Sequence, residues 1–220
     1  ILEVTLHNGV DPVSGRKVGL ETGDPLSFVI YDELYAAFMK QVRYFVDMKV
    51  RVSNYIDRMF AKYAPATFLS LFIDDCIAKG RDYYNCGPRY NTTYIQCTGL
   101  GTITDSLATL KKHIFEDKRW SMDELLKAMA DNFEGAEAMR QTILNRTPFF
   151  GNDDEYADSI AVKVFDDLYD TIEGKPNTKG ECFHLNMLST TCHVYFGKVM
   201  GATPNGCLLY TSDAADERIS

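Results

Sequence analysis

Apolar residues recur at spacings of three and four from Leu34 to Met59, with no proline or glycine between them. Leu34, Phe38, Val42, Phe45, Val52, Ile56 and Met59 form one stripe, with Lys49 in the gap, and Lys40, Arg43, Asp47, Arg51 and Arg58 occupy the other side. The pattern predicts an amphipathic helix over Glu33–Lys62, with Asp32 as N-cap and Pro65 as its stop. At 1.5 Å per residue it runs about 45 Å. In a chain of 220 residues this helix constrains the fold more than any other feature, because its stripe needs a large body to pack against.

Other elements follow in order. Ile1–Leu6 reads as the end of an element, and Asn8-Gly9 as its C-cap, since both residues tolerate the left-handed conformation. Asp11–Pro25 is a loop. A second helix is expected over Thr67–Lys79, ending at Gly80. Tyr90–Ile95 is rich in β-branched and aromatic residues and predicts a strand. Gly99 and Gly101 then turn the chain into a helix, for which Thr102 and Asp105 have capping-box spacing. Ser121 and Glu124 form a second capping box, Gly135 separates two helices, and Asn152 with Glu155 opens a helix over Asp153–Glu173. Phe183–Leu188 and Cys192–Phe196 read as strands, followed by a turn at Pro204-Asn205-Gly206. Mostly helices with isolated strands between them make an α/β body.

Composition excludes several classes. The net charge is −8, which argues against a phosphate-binding face for nucleic acid. No apolar run approaches the ~18 residues of a membrane span, and no signal peptide opens the chain, so a cytoplasmic protein is expected. The six cysteines include no C-x-x-C pair, which favours reduced, mostly buried thiols over zinc or disulfides. Gly99-x-Gly101 lacks the third glycine of a dinucleotide loop, where Thr104 stands, and reads as a plain turn. His184 and His193 have no fixed-spacing partner and read as core or pocket histidines rather than metal ligands. Asp74-Asp75 and Asp153-Asp154-Glu155 read as structural acids, and Cys97 has no neighbour that would activate it.

Gly87–Lys111, with Tyr90-Asn91, Gln96 and Asp105-Ser106-Leu107, resembles the glycyl radical enzymes of the pyruvate formate-lyase superfamily. So does Thr191-x-His193-Val194-x-Phe196-Gly197, followed by Gly201-Ala202-Thr203-Pro204-Asn205-Gly206. Glu3-x-Thr5-Leu6-x-Asn8-Gly9, Gly19-x-Glu21-Thr22-Gly23-Asp24-Pro25, Phe133-Glu134-Gly135 and Gly151-Asn152-Asp153-Asp154 are similar to the branch that dehydrates 4-hydroxyproline. The resemblance implies a helix-rich part of a ten-stranded α/β barrel. It implies a glycyl radical, installed by a radical-SAM activating enzyme, that passes to a cysteine and from there takes hydrogen from a small-molecule substrate. A homodimer is implied for the full-length protein, and no bound cofactor, metal, nucleic acid or membrane. Another lyase of the superfamily, acting on a diol, amine or aryl acid or as a formate acetyltransferase, is the alternative. A non-catalytic helical binding module is a further one.

Two motifs of the family do not occur in this sequence: the Gly-Cys-x-Glu loop of the thiyl cysteine, expected just before Ile1, and the C-terminal Arg-Val-x-Gly-Tyr glycine loop. Residues 1–206 are therefore expected to be an internal part of the barrel domain, unable to turn over alone. No catalytic residue is assigned. Met187, Ser189, Thr190 and His193 are the substrate-pocket candidates, where a strand re-enters the barrel. Residues 207–220 depart from the family and fit in-frame translation of a transposon end used in sequencing libraries, so a non-native tail is expected there.

Overall fold

The long helix forms where the periodicity puts it. In the computed structural model, α2 runs over Tyr31–Tyr63, after a short α1 at Leu2–Leu6. Its start differs from expectation: Asp32 lies inside the helix, and Glu33 reaches back to accept the backbone N–H of Val29 at 2.7 Å. The stripe divides along its length. Leu34, Phe38 and Val42 are buried, whereas Val52, Ile56 and Met59 are exposed. The structure describes residues 1–188 and 199–208. Ser189, Thr190, His193, the strand expected over Cys192–Phe196 and the chain beyond Leu208 lie outside the described residues.

The chain divides into two units. The first comprises Ile1–Val42, Thr98–Asp167 and the chain from Leu188. Here α1 ends at the predicted cap, with Asn8 at φ 49° and Gly9 at φ 91°. The following loop is held by backbone bonds from Val18 and Gly19 to the Gly9 carbonyl, 3.0 and 2.9 Å. The fully buried Gln41 of α2 holds the same loop: its Oε1 accepts Leu20 N–H at 3.0 Å, and its Nε2 donates to the Leu20 carbonyl at 2.6 Å.

Further along this unit lie α5 (Leu100–Thr109), a π-helical segment (Leu110–Glu116), α6 (Met122–Ala130), α7 (Glu137–Arg146) and the first part of α8 (Glu155–Ile172). Gly99, at φ 82°, is the N-cap of α5, so the expected Thr102–Asp105 capping box does not form. Asp105 is buried and accepts the backbone N–H of Phe150 at 2.8 Å, a long-range role that local spacing cannot reveal. The Ser121–Glu124 capping box forms as expected. At α8, Asp154 rather than Asn152 accepts from the first turn, taking Tyr156 N–H at 2.9 Å. Leu6, Leu34, Leu107, Leu110, Leu125, Phe133 and Ile143 are fully buried.

The second unit comprises Arg43–Cys97 and Leu168–Met187. The single helix expected over Thr67–Lys79 is two short ones, α3 (Thr67–Ser70) and α4 (Cys76–Lys79). The break has a local cause. Asp75 is left-handed at φ 75°, and the Ser70 hydroxyl is bound to the Ala66 carbonyl and the Asp82 carboxylate, both at 2.8 Å. Strand β1 (Thr93–Cys97) starts three residues later than Tyr90 and pairs in parallel with β2 (Phe183–Met187), from Thr93↔Phe183 to Cys97↔Met187. A parallel pair needs a crossover connection, supplied here by the chain through α5–α8.

Asn177 ties the start of this pair together. Its Nδ2 donates to the Asn91 carbonyl (2.6 Å) and to Thr93 Oγ1 (3.1 Å), while its Oδ1 accepts from the backbone of Lys179 and Glu181. Glu181 in turn accepts Asn91 N–H at 2.9 Å.

Candidate functional site

Parallel α/β sheets place ligands beyond the carboxyl ends of their strands, where the chain leaves the sheet and backbone groups are free to bind. In the second unit that edge is marked by Met187, opposite Cys97 in the register. Side chains alternate across a strand. Phe183, Leu185 and Met187 therefore share one face with Ile95 and Cys97, and Phe183 and Ile95 on it are buried. Met187 is half-buried at the end of this row and Leu188 is exposed. Of the four pocket candidates, Met187 is the one among the described residues; Ser189 and Thr190 follow it by two and three positions. Burial pushes the Cys97 thiol up, so it stays protonated at neutral pH.

The opposite face of β2 carries a group that residue spacing did not single out. His184 lies between a carboxylate and a thiol: its Nδ1 meets Glu173 Oε1 in a tight bond, and its Nε2 is 3.5 Å from Cys182 Sγ. The Tyr94 ring covers the imidazole at 5.8 Å between centroids. Cys182-x-His184 is the period-2 signal that puts both side chains on one face. Glu173 joins them because Gly174, at φ 76°, ends α8 and turns the chain back toward β2, with Gly174 N–H donating to the Phe183 carbonyl.

The remaining chemical candidates have structural roles. Arg89 sits 3.0 Å from Asp75 and 3.7 Å from Asp74, and its guanidinium holds the Asp75 carboxyl below the usual carboxylate range. Asp154 caps α8, Gly99 caps α5, and Asn91 Nδ2 donates to the Pro88 carbonyl at 2.9 Å. The five described cysteines are free thiols. Among the described residues no group of three His, Cys, Asp or Glu is placed to hold a metal, and no helix is long and apolar enough to cross a membrane.

Comparison with known proteins gives a consistent answer. Trans-4-hydroxy-L-proline dehydratase of Clostridioides difficile is 50% identical over 208 residues, 94% of this chain and 26% of that protein. Isethionate sulfite-lyase of Oleidesulfovibrio alaskensis is 36% identical over 215 residues, 96% of this chain and 26% of that protein. The crystal structure of hydroxyproline dehydratase from Clostridioides difficile, with trans-4-hydroxy-L-proline bound, matches with a TM-score of 0.90 at 49% identity, over 94% of this chain and 26% of that one. The chain thus spans about a quarter of the length of the curated relatives it matches. The helix-rich α/β fold is the one expected from the barrel of these enzymes, of which this chain carries a part. Residues 1–197 match the pyruvate formate lyase-like family, and the chain belongs to it.

Proposed function

We propose that this chain is part of a glycyl radical dehydratase that removes water from trans-4-hydroxy-L-proline. The carrying observation is 50% identity to a dehydratase of that substrate over 94% of the chain. A glycyl radical installed by a radical-SAM activating enzyme would supply the hydrogen-abstraction chemistry, and the Gly-Cys-x-Glu and Arg-Val-x-Gly-Tyr loops that would hold it do not occur in these 220 residues.

The chain's own contribution is binding and exclusion of water. Phe183, buried, packs one face of the parallel pair, and Met187, Ser189, Thr190 and His193 are the residues assigned to the substrate pocket in this proposal. A closed, dry pocket protects radicals from diversion. The parent is a cytoplasmic homodimer that is the partner of a radical-SAM activating enzyme. Residues 207–220 are a non-native tail, and re-reading the source DNA tests that.

Binding needs no radical, so titration of the unactivated parent protein tests the pocket. Trans-4-hydroxy-L-proline should bind at least tenfold more tightly than isethionate, and Thr190→Ala should weaken it at least tenfold. Equal binding of both ligands, or no effect of Thr190→Ala, contradicts the assignment. Isethionate is the comparator because a C–S lyase acting on it is 36% identical, which makes a sulfite-releasing lyase the second reading.

A further inference from the structure

We propose that Cys182 is a reactive thiol, a site of reversible mixed-disulfide formation driven by His184 and Glu173. It is separate from the radical chemistry and from the pocket candidates. Cys182 and His184 share the face of β2 opposite to Phe183 and Met187.

The hydrogen bonds are directional. The Glu173 carboxylate accepts only, so His184 Nδ1 carries the proton between them. His184 Nε2 is then the acceptor, 3.5 Å from Cys182 Sγ, and the S–H is the only proton available to it in that contact. Nucleophile, base and orienting carboxylate therefore stand in the order that activates a thiol. Both supporting side chains reach solvent, His184 at 30% and Glu173 at 26% exposure, so an imidazolium formed here is balanced by the carboxylate rather than stranded in an apolar core. Tyr94 covers one ring face and limits how far the imidazole swings. Cys97 in the same unit offers the contrast: it is half-buried like Cys182, no imidazole–carboxylate pair adjoins it among the described residues, and burial pushes its pKa up.

The co-reactant is a small disulfide, R–S–S–R. The Cys182 proton moves to His184 Nε2, and the sulfur attacks one sulfur of the disulfide. The S–S bond breaks, Cys182–S–S–R forms, and R–S⁻ leaves and takes the proton from the imidazolium. Cys182 is oxidised and the leaving sulfur reduced, so the step is balanced.

Oxidised glutathione is the probe, added to the intact parent protein at neutral pH, with adducts located by peptide mass mapping. Cys182 should be modified at least tenfold faster than Cys97, and His184→Gln should slow it about tenfold while Cys182→Ser abolishes the adduct. Where His184→Gln fails to fold, Glu173→Gln decides: a Cys182 rate about tenfold below wild type supports the relay, and an unchanged one overturns it. An unmodified Cys182, or an unchanged rate in folded His184→Gln, overturns it as well.

Discussion

Gln41→Leu tests the claim that the loop after α1 is held by one buried amide. Gln41 is fully buried, and its side chain satisfies both backbone groups of Leu20, at 3.0 and 2.6 Å. Leucine has similar volume but neither donor nor acceptor. Each unsatisfied backbone group costs about 1–3 kcal/mol, and because Leu20 is half-buried water recovers part of that, leaving roughly 2–3 kcal/mol. Since about 1.4 kcal/mol is a factor of ten, Leu20 N–H should exchange with deuterium roughly 30- to 150-fold faster, while amides of α6 stay unchanged. Gln41→Glu adds a test of sign. Its neutral form donates to the Leu20 carbonyl and its charged form does not, so the folded state favours the proton. The variant should protect Leu20 best below about pH 4, the ordinary glutamate range, and lose protection as pH rises. Exchange in Gln41→Leu within threefold of wild type would show that the amide does not hold the loop.

Glycine substitutions should separate backbone strain from collision. A Cβ at Gly9 would lie 2.4 Å from the Leu20 carbonyl oxygen at φ 91°, whereas one at Gly99 meets nothing within 4 Å at φ 82°. Gly99→Ala should cost about 1–2 kcal/mol and Gly9→Ala several more, as read from denaturant melts. Phe183→Ala removes a fully buried ring from β2 and should cost about 3–5 kcal/mol in the same assay. His113 lies buried in the π-helical segment, 3.0 Å from Thr147 Oγ1, and burial lowers its pKa from the ordinary 6.5, with Arg119 and Lys112 acting the same way against Asp117. The folded state therefore prefers the neutral ring: the stability is whole above pH 6.5 and is lost as pH falls below it, where the unfolded chain takes up the proton. A pH series of melts should show that slope in wild type and not in His113→Gln.

What the sequence made legible was local. The spacing from Leu34 to Met59 gave α2 almost to the residue, and the Ser121–Glu124 pair gave the start of α6. Asn8-Gly9 and Gly80 marked real helix ends because left-handed backbone is chemically restricted. The errors arose where a distant partner decides. Asp105 had the spacing of a capping residue, but its carboxylate serves Phe150, and the Ser70 hydroxyl meets the Asp82 carboxylate twelve positions on. The π-helical turn after Thr109 leaves no periodic mark, since its extra residue per turn is absorbed within a single stretch. Met187 was legible as the end of a strand, while the neighbour of His184, Glu173, was hidden: only the return of the chain at Gly174 brings it there.

The activity proposed for the parent is dehydration of trans-4-hydroxy-L-proline by glycyl radical chemistry. Turnover by the parent, activated anaerobically, measures it directly, with water loss from trans-4-hydroxy-L-proline and sulfite release from isethionate followed in parallel at equal concentration. A glycyl radical signal by electron paramagnetic resonance is expected, with a kcat/KM for hydroxyproline at least a hundredfold above that for isethionate. A radical signal accompanied by sulfite release and no loss of water from hydroxyproline would contradict it.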